Sequence, residues 1–100
     1  MLPVLTLTLI PALDISVETP HVIAGPKLRC TPPARHPGGG GVNVSRVIRR
    51  LGGQTLALLA LGGATGERLA DLLRQEGVAT SRLPAPGETR ENLTVNDATT

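Results

Sequence analysis

Apolar residues fill the stretch from Val4 to Ile10, interrupted by Thr6 and Thr8. A run that is apolar on both faces predicts a strand covered on both sides, as in a parallel sheet flanked by helices. Pro11 ends it, since proline offers no N–H to the ladder. Ile15 to Val22 and Lys27 to Pro33 predict two short irregular strands around the turn Ala24-Gly25-Pro26, confined by their prolines to edges or loops. After the glycines 38–41, Val44, Val47, Ile48 and Leu51 recur at i, i+3, i+4 and i+7, which makes one apolar helical stripe. Gly52-Gly53 stops that helix. Thr55 to Leu61 predicts a second apolar strand. Thr65 is expected to cap a second helix, which carries Leu69, Leu72 and Leu73 on one side and stops at Gly77. Val78 to Leu83 and Thr89 to Asn96 read as two further strands.

A helix between apolar strands predicts a βαβ core and an α/β fold. The chain has 100 residues and no Phe, Tyr or Trp, so Leu, Val, Ile and Ala must do all the packing. The core is therefore small. A sheet of two or three core strands also leaves an open edge, which natural folds avoid. The chain is expected to be an incomplete piece of a larger fold. The net charge is +2, Lys27 is the sole lysine, and the arginines are scattered. Without a basic block or stacking rings, nucleic acid is a poor partner. No basic amphipathic helix and no long apolar run point to a membrane. Met1 to Leu13 lacks the basic flank and cleavage pattern of a signal peptide. Cys30 stands alone, which fits a reducing, cytoplasmic setting.

Gly38, Gly39, Gly40 and Gly41 are the strongest local feature. They clear every side chain from the approach to the first N–H groups of a helix, which are unpaired and sit at its positive end. A phosphate or polyol could come close there; the alternative is a linker or a tight loop needing positive φ. The run matches no P-loop. Asn43, in the first turn of that helix, could reach a ligand hydroxyl or be an ordinary polar surface residue. Asp14 follows a strand, where open α/β sheets bind ligands. Its carboxylate could accept from two hydroxyls, or it could merely form a turn after Pro11. Gly62-Gly63-Ala64-Thr65-Gly66 reads as a tight strand-to-helix connection. Lys27, Arg29 and Arg90 are candidate anion contacts. His21, His36 and Cys30 have no metal-ligand spacing, and no nucleophile–His–acid set is present.

Thr6 to Asp14, Gly25-Pro26-Lys27-Leu28-Arg29-Cys30, Pro37 to Val44, Gly62 to Gly66 and Thr89-Arg90-Glu91-Asn92 occur in an order that resembles the N-terminal part of the PfkB branch of ribokinase-like sugar kinases. The resemblance spans essentially the whole chain, 1–100. It implies a βαβ core with a small β lid made by residues of about 15–36 and 78–97. It implies transfer of the γ-phosphoryl of MgATP to the 1-hydroxyl of fructose 6-phosphate, a 6-phosphofructokinase reaction. Asp14, Gly39 and Asn43 would hold sugar hydroxyls, and Arg90 the phosphate. Lys27 and Arg29 would lie on lid strands that reach nucleotide and form a homodimer contact. Relatives acting on fructose 1-phosphate or tagatose 6-phosphate carry a Lys within the glycine run; here every position is Gly. Ile10 stands where the family has a small or polar residue. The family's Gly-Ala-Gly-Asp catalytic motif does not occur in the chain, so no catalytic residue is assigned here, and the chain alone is expected to be inactive. A remnant or dimerisation module that keeps the lid strands is the rival expectation.

Overall fold

The computed structural model describes residues 3–99; positions 1, 2 and 100 of the expected segment lie outside the described residues. Three strands form a parallel sheet in the order β1-β4-β5, with β1 Val4–Thr8, β4 Thr55–Leu61 and β5 Ala79–Pro84. A second sheet has the order β3-β2-β6, with β2 Ala12–Thr19, β3 Ala34–Gly38 and β6 Arg90–Asp97. In it β3 runs antiparallel and β6 parallel to β2. Helices α1 (Gly40–Arg50) and α2 (Gly63–Gln75) link the strands of the parallel sheet.

The core lies where both helices meet β4. Val42 of α1, Ala57, Leu59 and Leu61 of β4, Leu69, Ala70 and Leu73 of α2, and Val78 form one buried cluster. Each helix ends in the same way. Gly52 (φ +85°) and Gly77 (φ +76°) take the left-handed conformation that glycine adopts without penalty. Gly53 N–H then reaches Ile48 O at 2.9 Å, and Val78 N–H reaches Leu73 O at 3.0 Å, closing two Schellman motifs. Arg46 joins the helices by donating from Nε to Glu76 Oε1 at 2.9 Å. Among the described residues no helix is long and apolar enough to cross a membrane.

Four expectations need correction. Leu5 and Leu7 are exposed, whereas Thr6 and Thr8 are buried against α1, so β1 is covered on one face and by its polar side chains. The stripe Val44, Val47 and Leu51 likewise faces outward, and Val42 and Ser45 face inward. Hydroxyls explain both results: Thr6 Oγ1 and Ser45 Oγ are 2.6 Å apart, Ser45 Oγ and Thr55 Oγ1 2.7 Å, and Thr55 Oγ1 donates to Val4 O at 3.0 Å. Fully paired, these groups bear burial without penalty. Third, Lys27 to Pro33 is no strand; β3 begins at Ala34, and as an edge strand it tolerates Pro37. Fourth, the expected lid segment 78–97 divides. β5 pairs with β4 in the parallel sheet, and β6 alone joins β2.

Candidate functional site

The first residues of β2 and β6, the last residues of β3 and the start of α1 converge. Ala12 pairs with Gly38 on one side and Arg90 on the other; Asp14 pairs with His36 and Asn92. Directly opposed residues share a sheet face. Asp14, Gly38, His36, Asn92 and Arg90 therefore stand on one face, and Leu13 and Pro37, both buried, on the other. Asp14 is half-buried. Its Oδ1 accepts from Asn92 Nδ2 at 3.1 Å. Its Oδ2 lies against Gly38, where a Cβ would stand 2.8 Å from the Asp14 Cγ. Only glycine leaves the carboxylate that space.

Gly39 is the N-cap of α1 at φ +125°, a conformation open to glycine, and supplies no side-chain cap. The cap comes instead from β1: Thr8 Oγ1 accepts the Val42 N–H at 3.0 Å. Gly41 permits that approach, since a Cβ there would meet Thr8 Oγ1 at 2.5 Å and Leu7 O at 2.9 Å. Around a Cβ at Gly40 the space is open. Arg46 Nη1 donates to Pro37 O at 2.9 Å and so ties the glycine segment to α1. Asn43 is exposed on the first turn of α1. Arg90 is exposed; its guanidinium reaches Ile10 O and Asn92 Oδ1, each at 3.5 Å. A carboxylate acceptor, a guanidinium and a helix start whose first two residues, Gly40 and Gly41, carry no side chain thus surround one spot. That set suits a polyhydroxylated anion.

Lys27 and Arg29 are not brought to this spot. They lie on the irregular connection 20–33, and Arg29 O accepts from Thr19 Oγ1 at 3.0 Å, at the far end of β2. A cleft of about 730 Å³ also lies at that end, among Glu18, Val22, Thr31, Asn96 and Asp97. Shape alone would have pointed away from Asp14. Among the described residues no group of three or more His, Cys, Asp or Glu is placed to hold a metal ion.

The second glycine turn is filled by the chain itself. Gly62, not Thr65, is the N-cap of α2. Glu88 Oε1 accepts the Thr65 N–H at 3.0 Å. That bond first, then the Ala64 N–H, hold the Glu88 carboxyl below the usual range. Sequence reasoning missed Thr8, Asn92 and Glu88. For Thr8 a signal existed: threonine at alternate positions of an apolar strand marks a face that needs hydroxyls. The Asn92 and Glu88 contacts join residues 78 and 23 positions apart, which no local pattern reveals.

A parallel sheet with helices packed on it, and a small second sheet bearing a polar face at a glycine-led helix, is the architecture of ribokinase-like sugar kinases. The chain belongs to the pfkB family of carbohydrate kinases, which it matches over residues 2–100. It is 48% identical over 96 residues to ATP-dependent 6-phosphofructokinase isozyme 2 of Escherichia coli, covering 96% of this chain and 31% of that protein. It is 36% identical over 88 residues to 1-phosphofructokinase of Bacillus subtilis, covering 88% of this chain and 29% of that protein. The structure superposes on phosphofructokinase-2 from Escherichia coli in complex with fructose-6-phosphate with a TM-score of 0.92 and 46% identity, covering 99% of this chain and 33% of that one. The chain thus spans about a third of the length of these relatives.

Proposed function

We propose that this chain forms the sugar-phosphate-binding part of an ATP-dependent 6-phosphofructokinase. The observation that carries the reading is the Asp14 carboxylate, which has one oxygen held by Asn92 and the other turned to the space that Gly38 leaves. In this reading Asp14, Gly39 and Asn43 take sugar hydroxyls, while Arg90 and the α1 N-terminus, opened by Gly38, Gly40 and Gly41, take negative charge. Binding the sugar this way orients its 1-hydroxyl for attack on the γ-phosphate. Positioning is most of what phosphoryl transfer asks of a protein. The residues of this chain bind and orient, and none is assigned the proton transfer. The second sheet serves as the lid, with Lys27 and Arg29 reaching nucleotide and its strands meeting a second copy.

An all-glycine run favours fructose 6-phosphate over fructose 1-phosphate and tagatose 6-phosphate. The test is a coupled assay on the complete native polypeptide, with each sugar phosphate offered in turn with ATP. The highest kcat/KM is expected for fructose 6-phosphate, and no turnover from residues 1–100 alone. A clear preference for another sugar phosphate would overturn the substrate assignment. Turnover by the 100-residue chain would overturn its role as a binding part.

A further inference from the structure

The segment that leads into Arg90 is fastened to the start of α2. Thr89 is buried and exchanges two hydrogen bonds with Gly62: its N–H donates to Gly62 O at 2.9 Å, and its Oγ1 accepts the Gly62 N–H at 3.0 Å. Glu88 accepts the Thr65 N–H on one side of this pair, and Thr65 Oγ1 donates to Glu91 Oε1 at 3.1 Å on the other. The glycines make room for it. A Cβ at Gly62 would strike the Gly87 carbonyl, and one at Gly63 the Glu88 carboxylate. A carboxylate at a helix N-terminus also meets the positive end of the helix.

Arg90 needs such an anchor. Its two guanidinium contacts are each 3.5 Å long, at the outer limit of a hydrogen bond, so its side chain does little to fix its own position. Its place is set by its backbone, which opens β6 opposite Ala12 immediately after the fastened residues. We infer that Glu88 is a positioning residue for the sugar-phosphate site, holding residues 88–91 on the first turn of α2 and thereby fixing where Arg90 stands. The inference rests on the reading of Arg90 as the phosphate contact. It assigns Glu88 a role in affinity beyond capping α2.

A double-mutant cycle on the complete native polypeptide tests it, reading the Kd for fructose 6-phosphate by titration calorimetry. Loss of one charge-assisted hydrogen bond and the order it maintains should raise Kd about ten-fold in Glu88→Ala. If Glu88 acts through Arg90, adding Glu88→Ala to Arg90→Ala should change Kd less than about two-fold further, because coupled residues are not additive. The same factor in both backgrounds would reduce Glu88 to a stabilising cap, and an unchanged Kd in Glu88→Ala would remove its role altogether; either result overturns the inference. A wild-type protein that binds no fructose 6-phosphate would instead refute the underlying assignment of the site, and the inference with it.

Discussion

If Asp14 holds the sugar as proposed, Gly38→Ala should weaken sugar binding while leaving the fold intact. Gly38 ends β3 with an ordinary strand φ, so its backbone accepts alanine without strain. The new methyl would lie against Asp14 Oδ2 and 2.8 Å from its Cγ, where unstrained carbon contacts need about 3.5–4.0 Å. The clash falls on the end of a side chain, so the carboxylate swings away, and its 3.1 Å bond from Asn92 goes with it. Loss of one charge-assisted hydrogen bond to the sugar is worth about 1.5–3 kcal/mol. Kd for fructose 6-phosphate should rise about ten- to a hundred-fold. Calorimetric titration of the complete native polypeptide, with thermal unfolding recorded in parallel, separates the two effects. Gly41→Ala is the contrasting case, since its methyl would meet backbone at Leu7 O, 2.9 Å away, and should cost stability first. A Gly38→Ala protein with native affinity, or one that fails to fold, would show that the space beside Gly38 does not serve Asp14.

Two other contacts give measurable outcomes. Thr8→Val keeps shape but strips the cap from the Val42 N–H and leaves that buried donor unpaired; urea unfolding should show a loss of about 1–3 kcal/mol, and an unchanged midpoint would mean that the cap contributes nothing. Asp97 is held down to about 2 by the Thr99 hydroxyl and by the Val22 and Thr99 N–H groups. A depressed carboxylate stabilises the fold above its unfolded pKa, about 3.9, and that contribution fades as pH falls through the folded value. The gap in thermal midpoint between wild type and Asp97→Asn should therefore be full at pH 5, mostly lost by pH 2 and closed only below it; a gap independent of pH would contradict this.

The elements set by periodicity and glycine were legible in the sequence. β4 was expected at Thr55 to Leu61 and is found there, and the stops at Gly52-Gly53 and Gly77 follow from left-handed glycine. Asp14, the glycine run and Arg90 were each nameable, and the structure brings them together, although Asp14 stands inside β2 and not beyond the end of a strand as expected. Burial was misread where hydroxyls replace carbon. Thr6, Thr8, Ser45 and Thr55 pair with one another or with backbone beneath α1, and any reading that sends polar residues to solvent turns that helix the wrong way. The start of β3 was misplaced: the expected strand Lys27 to Pro33 is an irregular connection, and pairing with β2 begins only at Ala34, a long-range choice that local composition does not show. Pairing of β6 with β2 rather than β5 is a long-range choice, and with it came the unforeseen Asn92 contact.

In the proposed reading the Asp14 carboxylate holds the sugar. Steady-state kinetics of Asp14→Asn in the complete native polypeptide, varying fructose 6-phosphate and ATP in turn, test it most directly. An amide of the same shape keeps one acceptor and substitutes a donor, so at least one hydroxyl pairing fails. A fall of about ten- to a hundred-fold in kcat/KM for fructose 6-phosphate is expected, with the KM for ATP near its wild-type value. Unchanged kinetics for the sugar, or a defect confined to ATP, would contradict it.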